Sequence, residues 1–234
     1  MERCGVIIVA GGTGKRCGGR IPKQFALLGG LPVLARTIGN FAKALPGAPI
    51  VVVLPAEHID FWHNLCARFD VAPHTVVEGG AERFHSVRNG LDALPADLDL
   101  IAVQDAVRPL GSVKLIRRTA AAAAETGAAV PVVEAADSYR QTDSEGSHVI
   151  DRSSLRIVQT PQIFRADLLR EAYRVEFRPG FTDDASVVES AGHAVRLCEG
   201  ERQNLKITVT EDFAIAEALL ALGEANAYEA LPHE

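Results

Sequence analysis

Cysteine is scarce in this chain and poorly placed for cross-linking. Its four copies, Cys4, Cys17, Cys66 and Cys198, are scattered over 234 residues, and no two form a C-x-x-C pair. That spacing excludes a disulfide scaffold and a thiolate metal cluster, and it fits a reducing compartment. Long apolar runs are also missing. The first one, Val6 to Ala10, is too short for a signal-peptide core and ends in glycines. No stretch approaches the length that spans a bilayer, so we expect a cytoplasmic protein without a membrane partner. Excess positive charge is absent as well: the net charge of −6 argues against nucleic acid as a partner. Acids, however, are missing locally. From Arg3 to Ala56 the chain carries seven basic residues and no Asp or Glu. A basic stretch on an acidic protein points to a small anionic ligand.

Short apolar runs alternate with helix-like segments. Gly5 to Val9, Ile50 to Leu54, Thr75 to Val77, Leu100 to Val103 and Ala128 to Val133 read as strands, the last interrupted by Pro131. Val33 to Leu45, Ile59 to Phe69, Phe84 to Leu94 and Val113 to Glu125 read as helices between them. This order predicts an α/β fold of three layers, Rossmann-like, with a mostly parallel mixed sheet covered on both faces. The rhythm breaks over residues 134–155. There a turn signal, Asp143-Ser144-Glu145-Gly146, separates two β-like flanks, Ser138 to Thr142 and His148 to Ile150. We read this as a projecting β-arm on a single domain of residues 1–234. The α/β pattern then resumes: strands at Ile157 to Gln159, Val195 to Cys198 and Leu205 to Thr208, and helices at Ala166 to Tyr173 and Thr182 to Ser190. A final helix follows Thr210, a candidate cap, and runs to Leu222.

The strongest local signal follows the first strand: Ala10-Gly11-Gly12-Thr13-Gly14-Lys15-Arg16, then Pro22-Lys23-Gln24. Glycines let the backbone approach a ligand closely. Consecutive N–H groups in such a loop make an anion-binding nest, to which Arg16 and Lys23 would add full charges. Two better-known glycine loops fail. A dinucleotide fingerprint starting at Gly12 reaches Cys17 where Gly or Ala is needed, and a Walker loop would need Ser or Thr in place of Arg16 and Gly in place of Val9.

Gly-Gly-x-Gly-x-Arg followed by Pro-Lys resembles the nucleotidyltransferases that activate sugars with NTPs. Four further motifs narrow the likeness: Glu78-Gly79-Gly80-Ala81-Glu82-Arg83 with Ser86, Gln104-Asp105-Ala106-Val107-Arg108-Pro109, Gln159-Thr160-Pro161-Gln162-Ile163-Phe164, and Thr182-Asp183-Asp184-Ala185-Ser186 with Gly200, Asn204 and Lys206 later. In this order, and over almost the whole chain, they resemble the 2-C-methyl-D-erythritol 4-phosphate cytidylyltransferase family.

The resemblance implies a nucleotidyltransferase fold. It also implies CMP transfer from CTP to 2-C-methyl-D-erythritol 4-phosphate, with release of pyrophosphate, in non-mevalonate isoprenoid synthesis. Ala10, Gly11, Gly12 and Gly14 would line the nucleotide together with Arg83 and Ala106, and Gly79, Gly80 and Ser86 would read cytosine. Arg16, Lys23 and Lys206 would surround the α-phosphate, with Asp105 near the acceptor and the metal. Mg²⁺ is expected mainly on the CTP phosphates, with no certain protein ligand. Ser138 and Arg152, on an arm that reaches a partner subunit, would meet the acceptor's phosphate; Thr160, Thr182 and Lys206 would complete that pocket from the other chain, and Arg108 would also bind the substrate. The implied assembly is a homodimer with composite sites. Ala81 stands where the family commonly has aspartate, and Ser138 where it has threonine. The alternatives are a ribitol 5-phosphate cytidylyltransferase on the same core and a non-catalytic nucleotide sensor. A sensor would be expected to lose Arg16, Lys23 and Lys206, and all three are present.

Overall fold

In the computed structural model of the chain, residues 2–11 and 21–229 are described, the side chains of 224–229 excepted. The core of the sheet is built from three apolar strands, β1 (Cys4–Val9), β4 (Ile50–Leu54) and β6 (Leu100–Asp105). Each buries both faces. Val6, Ile8, Val52, Leu54 and Ala102 face one apolar cluster, while Ile7, Val51, Val53, Ile101 and Val103 face the other. Such period-two runs, apolar on both sides, are what a sheet covered by helices requires. β1 lies between β4 and β6 and is parallel to both, and β5 (Thr75–Glu78) extends the sheet beyond β4.

The chain moves outward from β1 to β4 and β5, then returns to the other side of β1 as β6. Beyond β6 comes β11 (Gln162–Arg165), antiparallel to it, and then β7 (Ala128–Glu134), antiparallel to β11 and so running with the central strands. β7 has three partners because its two edges are used differently. β11 and β10 (Arg156–Val158) share one edge in succession, and β12 (Arg196–Glu199) runs parallel along the other. The result is the expected mixed, mostly parallel α/β sheet.

Helices α1 (Val33–Ala44), α2 (Ala56–Cys66) and α4 (Val113–Thr126) cover one face; α3 (Arg83–Ala93), α5 (Ala166–Ala172) and α6 (Asp184–Ser190) cover the other. α1 turns Val33, Leu34, Thr37, Ile38 and Phe41 inward, an i, i+4, i+8 stripe. α4 is delimited by its own sequence. Ser112 accepts the N–H of Leu115 at its start, and Gly127, at φ 91°, takes the left-handed position at its end. A short pair, β2 (Leu27–Leu28) and β3 (Leu31–Pro32), and α7 (Glu211–Glu229) enclose a third small core of Leu28, Val33, Val107, Ile207 and Ala216. The expected arm is a separate hairpin, β8 (Tyr139–Asp143) and β9 (Gly146–Ile150), paired only with itself in the sheet topology.

Three expectations need correction. Leu205 to Thr208 is not a strand. Its alternation arises because Ile207 is buried in the third core while a single N–H, that of Ile207, bonds to Val107 O. Pro131 does not interrupt β7; Pro131 O accepts the Gln159 N–H, and the run continues to Glu134. β11 was not anticipated as a strand, because its first residue, Gln162, is polar yet fully buried. Gln162 is satisfied by donating to Asp183 Oδ2 and accepting the Ala185 N–H, both at 2.8 Å.

Candidate active site

In open α/β sheets a ligand crevice forms at the carboxyl ends of strands where the chain order reverses. Here that point lies between β1 and β6. Val9 and Asp105 are register partners, and the strands run on into Ala10 and Ala106. A cavity of about 420 Å³ opens there, lined by both strand ends, by Gly80 to Arg83 with Ser86, and by Lys23, Gln24 and Lys206. A larger cavity of about 830 Å³ opens at the opposite end of the strands, beside Cys4, Leu100 and the 44–49 turn. It contains none of the motif residues, and the Arg117 guanidinium on its wall is spent on the carbonyl oxygens of Ala44 and Lys43. Chemistry therefore favours the smaller one.

Asp105 is the electrostatic centre of that smaller cavity. Its carboxylate lies 3.0 Å from Lys206 Nζ, 3.3 Å from Arg108 Nε and 3.8 Å from Arg83 Nε. Burial alone would raise its pKa, but the charges of Arg83, Lys206 and Arg108 outweigh that cost and hold it below the ordinary carboxylate value. Its backbone N–H donates to Thr160 Oγ1 at 3.1 Å, and Thr160 O accepts from Asn204 Nδ2 at 2.9 Å. Arg108 also donates to Asn204 O at 2.9 Å, so Asp105, Arg108, Thr160 and Asn204 form one network.

Arg83 reaches further. It makes a two-pronged pair with the fully buried Asp184, at 2.9 and 2.7 Å, and Tyr173 Oη donates to the same carboxylate at 2.6 Å. Burial would lower the Arg83 pKa; Asp184 and Asp105 reverse the sign and keep the guanidinium charged.

The turn before α3 is built around Ser86. Ser86 Oγ accepts the Gly80 N–H at 3.1 Å and donates to Glu82 O at 3.2 Å. A β-carbon at Gly79 would lie 3.0 Å from that oxygen, and one at Gly11 3.8 Å, so both glycines keep the backbone close to the hydroxyl. Gln24, which sequence reasoning placed in the Pro-Lys-Gln motif without a role, is buried and donates to Ala10 O at 3.0 Å. It ties the 3₁₀ turn Lys23–Phe25 to the end of β1.

Of the residues expected at the site, Ala10, Gly11, Lys23, Gly80, Arg83, Ser86, Asp105, Ala106 and Lys206 line this one cavity; Gly79, Arg108 and Thr160 adjoin it through contacts already described. Gly12, Gly14 and Arg16 lie outside the described residues. Thr182, exposed before α6, and Ser138, exposed before β8, do not line it. Arg152 lines a different cavity at the base of the hairpin, with Arg156 and Arg202, and donates to Ala136 O. The supporting residues Asp184, Tyr173 and Asn204 escaped role assignment. Their signal is a polar group at a buried position, which local sequence does not reveal. Among the described residues, no helix is long and apolar enough to cross a membrane, and no three His, Cys, Asp or Glu side chains gather as a metal site.

Comparison with known proteins agrees with this geometry. Residues 4–222 match the family described as IspD, 2-C-methyl-D-erythritol 4-phosphate cytidylyltransferase. The enzyme of that name from Bacteroides fragilis is 46% identical over 216 residues, 92% of this chain and 98% of its own. The one from Geobacillus kaustophilus is 40% identical over 220 residues, 92% of this chain and 96% of its own. Among solved structures, the cytidylyltransferase of Thermus thermophilus is 34% identical with a TM-score of 0.72, covering 94% of this chain and all of its own (100%). The 4-diphosphocytidyl-2C-methyl-D-erythritol synthase of Anaerococcus prevotii is 27% identical with a TM-score of 0.79, covering 94% and 96%. The motif order, the sheet and the length agree together, and the chain belongs to the 2-C-methyl-D-erythritol 4-phosphate cytidylyltransferase family.

Proposed function

We propose that the protein transfers the cytidylyl group of CTP to 2-C-methyl-D-erythritol 4-phosphate, giving 4-diphosphocytidyl-2-C-methyl-D-erythritol and pyrophosphate for isoprenoid synthesis by the non-mevalonate route. An oxygen of the acceptor's phosphate attacks the α-phosphorus of CTP. The new P–O bond forms as the bond to the α,β-bridging oxygen breaks, and its electron pair leaves with pyrophosphate. Such a displacement asks the protein for alignment and charge stabilisation, with no covalent intermediate. Lys23 and Lys206, with Arg16, offset the charge that builds on the phosphoryl oxygens. Ala10 and Gly11, with Gly12 and Gly14, let the triphosphate approach the backbone, Arg83 and Ala106 flank it, and Gly79, Gly80 and Ser86 read the cytosine edge. The observation that carries the reading is the convergence of Lys23, Lys206, Arg83 and Asp105 on one cavity of about 420 Å³ at the strand ends.

Mg²⁺ fits the donor set in a limited way. Asp105 and Glu82 are the acids on the cavity wall, and three cations already face Asp105. A magnesium ion bound with the nucleotide would be held chiefly by phosphate oxygens, Asp105 being the carboxylate on hand, and would supply charge neutralisation on the phosphates.

The acceptor pocket needs a second copy of the chain. Ser138 and Arg152 belong to the hairpin and its base, apart from the residues that line the cavity of their own chain. In a homodimer the arm of one subunit brings them to Arg108, Thr160 and Thr182 of the other. The test is a panel on the purified protein: CTP, UTP and ATP, each with 2-C-methyl-D-erythritol 4-phosphate or ribitol 5-phosphate, read by pyrophosphate release. CTP with the methylerythritol phosphate should be fastest. Preference for ribitol 5-phosphate would overturn the acceptor, and absence of release with every pair would overturn the activity.

A further inference from the structure

Two lysines converge on the cavity from segments far apart in sequence, and neither stands on the central sheet. Lys23 is in the 3₁₀ turn that leads into β2, and Lys206 is in an irregular segment one residue before the buried Ile207. Loops hold a charge in place only if something rigid holds the loop. α7 touches both.

At the start of α7, Asp212 Oδ2 accepts three hydrogen bonds: Thr208 N–H at 2.6 Å, Thr208 Oγ1 at 2.8 Å and Val209 N–H at 3.0 Å. These donors lie two and three residues beyond Lys206. One turn further along, Glu217 Oε1 accepts the Gly29 N–H at 2.8 Å and so pins the β2–β3 turn that follows Lys23. Phe213 and Ala216 pack with Leu28, Val107 and Ile207 in the third core, filling the space between the two segments. Lys23 also lies near enough for its charge to act on Asp212. Burial would raise the Asp212 carboxyl, but the Val209 and Thr208 donors and the Lys23 charge hold it below its ordinary value.

We propose that Asp212 is a positioning residue for cytidylyl transfer: its carboxylate anchors the segment that carries Lys206 to the helix that also pins the turn following Lys23, so that both lysines meet the same phosphate. This rests on the transfer reading above. The carboxylate lies at the amino end of α7, where a negative charge is favoured by the helix itself, so the anchor is stable without blocking the cavity.

A purely structural cap and a positioning residue differ in coupling. Pyrophosphate release from CTP and 2-C-methyl-D-erythritol 4-phosphate is measured for wild type, Asp212→Asn, Asp212→Ala, Lys23→Ala, Lys206→Ala and the double variants pairing each Asp212 change with each lysine change. A small misplacement of catalytic groups costs up to roughly 100-fold in rate. Asp212→Ala should therefore lower kcat about 10- to 100-fold while moving KM for CTP much less. Asp212→Asn keeps an acceptor oxygen but not the charge, and should recover part of that loss. Once Lys23 or Lys206 is already gone, the same Asp212 change should cost less than about threefold, because there is less left to position.

Should Asp212→Ala fail to fold, the Asp212→Asn cycle with Lys206→Ala carries the test. Penalties that multiply fully in both lysine backgrounds would overturn the inference while leaving the transfer reading intact. An inactive wild-type protein would overturn both.

Discussion

Lys23 and Asp184 make opposite demands on the protein, and their substitutions should separate cleanly. Lys23 lines the cavity, and the fold around it is held by Gln24 bonding to Ala10 and by Phe25 packed against Trp62. Lys23→Ala should leave the thermal midpoint within a few degrees of wild type while kcat falls about 10²- to 10³-fold, the usual cost of losing one preorganised charge donor. Near-normal turnover would remove its assigned role. Asp184 is fully buried and compensates Arg83. Asp184→Ala leaves the partly exposed Arg83 guanidinium with Asp105, at 3.8 Å, as its remaining partner and strips Tyr173 Oη of its acceptor, a change that costs about 2–3 kcal/mol. A urea midpoint unchanged from wild type would show that Arg83 finds other compensation.

His74 offers a pH test at the same scale. Its Nε2 lies 2.9 Å from the indole Nε1 of Trp62, and its Nδ1 lies 2.8 Å from Ala72 O. The indole can only donate, which fixes the neutral tautomer with hydrogen on Nδ1. Burial lowers the His74 pKa; the Ala72 carbonyl opposes that and His63 adds to it. A histidine depressed in the fold binds its proton more readily when unfolded. Its contribution is thus complete above the unfolded value of about 6.5 and is lost as pH falls through the lower folded value. The urea midpoint should drop between about pH 7 and pH 5, with a red shift in the emission of the single tryptophan, and His74→Asn should shrink that drop. Equal drops in both proteins would refute the assignment.

Among the elements, α3 depends most on a residue of no chemistry. A β-carbon on Gly90 would sit 2.6 Å from Ile7 Cγ2 and 3.2 Å from Val53 Cγ2, so the helix lies directly on the sheet there. Alanine is better than glycine in a helix by about 1 kcal/mol. Overpacking a tight core costs about 1–3 kcal/mol, and here it also pushes on the helix that carries Ser86. Gly90→Ala should therefore lower stability and weaken CTP binding together; a stabilised protein would mean that α3 has slack. Elements of this kind were legible in sequence where one signal dominated. Apolar runs gave β1, β4 and β6 nearly to the residue, and α6, expected from Thr182, starts at Asp184 because Asp183 and Ser186 form a capping box. Reading failed where tertiary partners decide, as at Gln162 in β11 and at Leu205 to Thr208. The site divides the same way. Motif glycines and cations were visible, whereas the buried residues that aim them, Gln24, Asn204 and Asp184, carry no local signature of burial, and Asp212 shows in sequence only as an acid in the first turn of the last helix.

For the whole molecule the informative part is the one that adds nothing to its own core. In β8 and β9 every residue but Ile150 is exposed, Val149 by 74%, and the ladder runs only between these two strands. An isolated two-stranded hairpin is marginal in water and persists when something packs against it. Its bonds are local: Arg140 to Ser147, Asp143 to His148 and to the Glu145 N–H. Removing it should therefore cost the sheet little. If the arm serves a second subunit, replacing residues 139–150 by a two-residue turn should leave the unfolding transition of the core nearly unchanged. The same change should convert a species of twice 25.0 kDa into one near 25.0 kDa by light scattering. CTP binding, which draws on the cavity of one chain, should survive, whereas use of the acceptor phosphate, which draws on Ser138 and Arg152, should be lost. A monomeric wild-type protein that turns over both substrates would defeat the composite site. Loss of CTP affinity on trimming the arm would instead mean that the hairpin supports the nucleotide half of the cavity, where no described contact now links them.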